Sequence, residues 1–166
     1  MKTNKLSTVR INRIREQGYT NQSENEINDL AFGNRFAYRL CVSVLVIGLV
    51  LQSIPVLAAM MVIAFFGVIL PNHPFDYLYN GLLSKAMNKP KLPPRSVQLK
   101  FACSLATVWI GGVIYLFYAE HVIAAYFLGG SLITVATLVA SIDFCIPSII
   151  FNNLFLKKEK RVAAKA

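Results

Sequence analysis

Four long apolar segments constrain the fold of this chain more than any other feature. They lie at about residues 36–53, 54–70, 101–119 and 122–142, and the second is the shortest. Each is close to the roughly 20 residues that a helix needs to cross about 30 Å of hydrocarbon. With 55% hydrophobic and 15% charged residues, the chain is too apolar for an ordinary soluble domain of 166 residues. The sequence therefore predicts an all-α integral membrane protein.

Short breaks group the four segments into two pairs. Gln52 and Pro55 interrupt the first pair, and Glu120 and His121 interrupt the second. Pro71 ends the second segment, because proline cannot donate to the helix ladder and clashes with the preceding turn. We expect a four-helix bundle made of two helical hairpins.

The basic residues determine the predicted orientation. Of the 17 Lys and Arg residues, seven lie in residues 1–39, five in 85–100 and five in 157–165, which leaves none for the hairpin tips. The positive-inside rule places these segments in the cytoplasm. The prediction is a polar cytoplasmic N-terminal tail at 1–33, a four-span membrane domain at 34–156 and a basic cytoplasmic C-terminal tail at 157–166. The net charge of +9 does not indicate nucleic-acid binding, because the cations flank the apolar segments.

The central loop contains its own structural pattern. Apolar residues recur at helical spacing from Phe75 to Met87, which predicts a short helix in the cytoplasmic interface. Pro90, Pro93 and Pro94 then predict an extended basic linker. The residues before about 34 are polar and lack a sustained period, so we expect them to be mobile or to order only against a partner.

Small residues predict close helix packing in the third and fourth segments. Asp143 follows the fourth segment, and an ionisable residue at membrane depth is a functional hypothesis by default. The favoured alternative is that Asp143 lies at headgroup level, hydrated or paired with a loop cation, and marks the end of the span. The predicted helix-packing residues are Ala125, Gly129, Ala136, Ala140, Gly111 and Gly112.

Two further side chains are candidates for chemistry. Cys145 lies in a Cys-Ile-Pro-Ser sequence, where a thiol at a helix start can have a lowered pKa; the favoured alternative is a small apolar residue. Trp109, in the middle of the third segment, faces lipid, a neighbouring helix or a cavity, and core packing is the favoured alternative. We expect three free cysteines, because they are odd in number and lie near predicted cytoplasmic membrane ends. No cofactor is expected, and His73 and His121 cannot share a metal ion because they are predicted on opposite faces of the membrane.

Several short motifs are spread over residues 34–155. They are the arginine-bearing start of the first span, Pro71-Asn72-His73-Pro74-Phe75, the connector from Lys89 to Arg95, Lys100-Phe101-Ala102, and Phe144-Cys145. In these motifs the chain resembles a bacterial family of small four-span membrane proteins known only as a domain of unknown function, which implies the bacterial inner membrane. Family members often end the fourth span with Phe-Cys-x-x-x-Cys or Phe-Cys-x-x-Cys, but Ser148 stands three residues after Cys145 here.

No catalytic motif is evident, so the leading hypothesis is a non-catalytic accessory or assembly subunit of a larger membrane complex. The expected partners are the lipid bilayer and that complex, and a homo-oligomer is an alternative. A second hypothesis is a small-solute transporter or channel with a site near Trp109, Gly111 and Gly129. A third is thiol-redox chemistry through Cys145.

Overall fold

The computed structural model describes residues 6–156, and all regular secondary structure in this range is helical. The predicted all-α class is therefore confirmed. The C-terminal tail predicted at 157–166 lies outside the described residues. The seven helices are α1 (Thr8–Glu16), α2 (Glu24–Val50), α3 (Ile54–Ile69), α4 (Pro74–Ala86), α5 (Val97–Tyr118), α6 (Val122–Ile142) and α7 (Ile146–Leu156).

Three of these helices, α2, α5 and α6, are long and apolar enough to cross a membrane. Helix α3 has only 16 residues and passes the same test only together with α4, from which it is bent by 83°. The described chain thus contains three candidate spans, or four if α3 and α4 form one broken span. This number of apolar helices is consistent with a multi-pass membrane protein.

The long helices pack through small residues. Helix α3 packs mainly on α5, and α6 packs on both α2 and α5. Gly129 on α6 permits close approach, because a Cβ atom there would lie 2.5 Å from Leu49 Cδ1 on α2. Ala125, Gly129 and Ala140 are buried, and Ala136 is partly buried. On α5, Gly111 faces Met61 and Gly112 faces Leu128.

The N-terminal segment is more regular than its sequence indicates. Helix α1 buries Ile11 and Ile14, and α2 begins at Glu24 rather than near residue 34. A capping box fixes that start: the backbone N–H of Glu26 donates to the Ser23 side chain, and the Ser23 N–H donates to the Glu26 carboxylate. Residues 8–16 and 24–33 are therefore helical within the chain itself, whereas the sequence predicted a segment that is mobile or orders only against a partner.

The predicted helix of the central loop is confirmed as α4. Its polar residues Asp76 and Ser84 face the protein, whereas Leu78 and Leu82 are exposed. Residues 89–96 have no regular secondary structure, as predicted for the proline-rich linker. The starts of α2 and α5 and the ends of α3 and α6 lie on this side. We call this end of the molecule, with α1, α4, the linker and α7, the polar end.

Candidate functional site

Asp143 lies at the centre of the polar end. It follows the last residue of α6 in a left-handed conformation with φ 59°, a geometry that Asp and Asn tolerate better than most residues. Its side chain is 0% exposed. One oxygen accepts from Arg35 Nε at 2.8 Å, and the other accepts from Arg35 Nη2 at 2.7 Å and Arg10 Nε at 2.9 Å. A single buried carboxylate therefore joins α1, α2 and α6.

The end of α6 receives further donors from the N-terminal segment. Arg10 Nη2 donates to the Ser141 carbonyl at 2.9 Å, and Arg13 Nη1 donates to the Ile142 carbonyl at 3.0 Å. Gln17 Nε2 donates to the Asp143 carbonyl at 2.8 Å. Cations favour the negative end of a helix dipole and satisfy carbonyls that have no helical partner. Asp143 was interpreted either as a functional ionisable group or as a residue that is hydrated or paired with a loop cation. The geometry favours an ion pair, but its partners are Arg10 on α1 and Arg35 on α2 rather than a loop cation.

A second buried ion pair fixes α4 to the linker. Arg95 donates through Nε to Asp76 Oδ2 at 2.6 Å and through Nη2 to Asp76 Oδ1 at 3.0 Å. Oδ2 also accepts from the His73 backbone N–H at 3.0 Å, and the Arg95 guanidinium stands 5.3 Å from the centre of the Tyr38 ring. Burial is the largest single influence and lowers the pKa of Arg95, but the charge and hydrogen bonds of Asp76, together with the Tyr38 and Cys103 side chains, raise that pKa well above its ordinary value. Arg95 therefore remains charged.

Asparagines hold the same linker in place. Asn80 accepts from the Leu92 backbone N–H at 2.7 Å and donates to the Leu92 carbonyl at 3.2 Å. Asn72 donates to the Pro93 carbonyl at 2.9 Å. Prolines cannot form a regular ladder, so these side chains supply the partners that secondary structure would otherwise provide. The linker is consequently a fixed part of the polar end.

Cys145 is buried between α6 and α7. The Ser148 hydroxyl donates to its sulfur at 3.1 Å, so the serine that stands three residues on contacts the thiol directly. Burial raises the pKa of the Cys145 thiol, and the contact with Ser148 only partly opposes this. A reactive thiol needs the opposite shift. Cys41, Cys103 and Cys145 are all unpaired in the structure.

Packing leaves little free volume around Trp109 and Gly129, where the sequence analysis placed a candidate solute site. Trp109 Nε1 donates to the Leu128 carbonyl at 3.0 Å, and the void beside Gly129 measures only about 10 Å³. A larger cavity of about 70 Å³ lies closer to the polar end, among Tyr38, Cys103 and other side chains. Within residues 6–156, no three Cys, His or acidic side chains are grouped so that they could hold a metal ion.

Sequence reasoning identified Asp143 but missed its partners. Arg10 and Arg35 are 133 and 108 residues away in the chain, and no local pattern links them to an aspartate. The Asp76–Arg95 pair was missed as well. Its only local signal is the His73-Pro74-Phe75-Asp76 sequence, in which an acidic side chain three residues after a helix cap returns to the cap N–H.

The geometry defines a class: a helical protein with three or four candidate membrane spans and a polar end in which two buried carboxylates bind three arginines. A family model described as a domain of unknown function, DUF4395, matches residues 32–155. The chain belongs to this family, which confirms the resemblance to a family of unknown function. Helix α1, with Arg10, lies outside the matched range. No curated protein and no solved structure matches the chain.

Proposed function

We propose that this protein is a non-catalytic accessory or assembly subunit of a larger membrane protein complex. The observation that carries the proposal is that Asp143 and Asp76, the two buried carboxylates within residues 6–156, are each paired with arginine. A carboxylate in such a pair joins chain segments and is not a free acid or base for catalysis or proton transfer. The side chains at the polar end therefore serve assembly.

The contacts of α1 also support this role. Arg10, Arg13 and Gln17 fix the N-terminal segment to the end of α6, and Asn152 on α7 donates to the Glu16 carbonyl at 2.8 Å. These bonds give the polar end a defined surface from segments that would otherwise be mobile. A partner that binds a preformed surface avoids the entropy loss of ordering it.

The membrane orientation belongs to the same proposal. We place the polar end on the cytoplasmic side of a bacterial inner membrane, because the Lys and Arg residues within the described range 6–156 lie in segments at this end. The outward face of α4 then meets the lipid interface through Tyr77, Leu78 and Leu82, which are all exposed. Lipid-facing positions on α5 and α6, such as Val108 and Phe127, are similarly apolar and exposed.

Co-purification tests the proposal. The tagged chain is isolated from native membranes in mild detergent, beside Asp143→Asn and a control, Glu120→Gln, which removes an exposed carboxylate at a hairpin tip. The wild type and Glu120→Gln are expected to retain a larger membrane protein in fixed stoichiometry. Asp143→Asn is expected to lose it while remaining in the membrane. Recovery of the chain without any stoichiometric partner would contradict the proposal.

A small-solute carrier is the second candidate, and the cavity of about 70 Å³ is the observation that favours it. Its site would then lie near Tyr38 and Cys103 rather than near Gly129. Uptake into proteoliposomes that is lost in a cavity-filling variant, with folding intact, would support transport. The raised pKa of the buried Cys145 thiol does not favour the thiol-redox hypothesis.

A further inference from the structure

The cavity of about 70 Å³ has one apolar and one polar wall. Leu45, Met60 and Ile110 supply part of the apolar wall, from α2, α3 and α5. The polar wall contains Tyr38, His73 and Arg95, together with the thiols of Cys41 and Cys103. The cavity therefore lies where the apolar helix core meets the Asp76–Arg95 ion pair.

Hydrogen-bond donors dominate the polar wall. The Tyr38 hydroxyl is buried and has no hydrogen-bond partner in the described part of the chain. Arg95 donates to Asp76 through Nε and Nη2, whereas its Nη1 takes no part in that ion pair. His73 Nδ1 accepts from the Phe75 backbone N–H at 3.3 Å, so the neutral ring carries its proton on Nε2. The Tyr38 hydroxyl is thus a buried donor without a partner, and His73 Nε2 and Arg95 Nη1 are donors that the contacts with Phe75 and Asp76 leave unused.

Acceptors are correspondingly scarce. The Asp76 carboxylate already accepts three hydrogen bonds, from Arg95 and from the His73 backbone, and it does not line the cavity. Its charge also balances that of Arg95, so the wall has no net positive charge to offset an anion. A buried anion without a counter-charge is costly, whereas a neutral oxygen acceptor satisfies the donors without that cost.

The volume limits the size of a ligand. An engineered protein cavity of about 150 Å³ binds benzene, which has six carbon atoms, so about 70 Å³ accommodates roughly three or four non-hydrogen atoms. We propose that this cavity is a binding site for a small neutral molecule with a carbonyl-type oxygen acceptor, its oxygen toward Tyr38, His73 and Arg95 and its apolar part toward Met60 and Ile110. This site is separate from the accessory role and does not depend on it.

Ligand-observed NMR on the full-length protein in detergent tests the site, with acetone as the probe. Acetate supplies an anionic comparison, and isobutene supplies the shape of acetone without its oxygen. Acetone is expected to bind saturably, and each comparison ligand at least tenfold more weakly. Tyr38→Phe removes one hydroxyl. It is expected to weaken acetone binding about five- to tenfold, because one hydrogen bond to the acetone oxygen is lost. Tyr126→Phe, distant from the cavity, is the matched control and is expected to bind as the wild type does.

A second variant distinguishes binding in the cavity from partitioning of acetone into the detergent. Ala106 lines the cavity, so Ala106→Leu fills it and is expected to abolish saturable binding, with helix content checked by circular dichroism. Acetone binding that is absent, or unchanged in both Tyr38→Phe and Ala106→Leu, would overturn the proposal and leave the cavity as a site for water only. Tighter binding of acetate than of acetone would overturn the assignment of a neutral ligand.

Discussion

Replacing Asp143 by asparagine removes one charge from the polar end and leaves the backbone unstrained. Asparagine tolerates the left-handed φ of 59°, so the substitution isolates the electrostatic contribution. Asp143 accepts three charge-assisted hydrogen bonds, and breaking a buried pair from one side costs about 3–5 kcal/mol. The side chains of Arg10 and Arg35 are 28% and 15% exposed, so water partly rehydrates them. We therefore expect the lower end of that range, about 3 kcal/mol.

Thermal unfolding in detergent, followed by circular dichroism, measures this effect. For a chain of this size about 1 kcal/mol corresponds to about 2–4 °C, so the apparent Tm of Asp143→Asn is expected to fall by about 6–12 °C. Glu120→Gln, the exposed control, is expected to unfold as the wild type does. If the apparent Tm of Asp143→Asn falls by less than about 2 °C, the loss of stability is about 1 kcal/mol or less. That result would refute the view that this carboxylate holds the polar end together.

Three further predictions concern the second ion pair, the α2–α6 contact and the thiol. Asp76→Leu and Arg95→Met should each destabilise the protein by about 3–5 kcal/mol, and the double variant by less than either single one, because no buried charge is left unpaired; a double-mutant cycle of Tm values checks this. Gly129→Ala should cost about 1–3 kcal/mol through overpacking against α2, whereas Gly130→Ala, whose Cβ meets open space, should be neutral or slightly stabilising in the same assay. With Cys145 as the only cysteine, maleimide labelling at pH 8 should be much slower than at a cysteine introduced at an exposed hairpin tip, because the raised pKa keeps the buried thiol protonated; equal rates would contradict this.

The sequence was informative wherever a local pattern decides the structure. The apolar segments, the helix from Pro74 to Ala86 and the proline-rich linker all follow from periodicity and from the chemistry of proline. Helix α1 was missed because its nine residues are mostly polar and its two buried isoleucines are too few to establish a period.

The candidate site depends on contacts that no local pattern encodes. Asp143 was identifiable as a charge at the end of an apolar segment, but its environment depends on Arg10 and Arg35, far away in the chain. The cavity depends in the same way on side chains from α2, α3, α5 and the linker. Only the packed structure shows that Tyr38 has a buried hydroxyl without a partner.

The mass of the intact assembly released from native membranes tests the central claim most directly. Native mass spectrometry of the untagged complex in mild detergent gives this mass, and dissociation then gives the mass of each component. The account predicts an assembly in which one 18.5 kDa chain, or a fixed number of them, accompanies a larger membrane protein. A mass equal to one chain or to a simple multiple of it, with no second polypeptide, would contradict the accessory-subunit proposal.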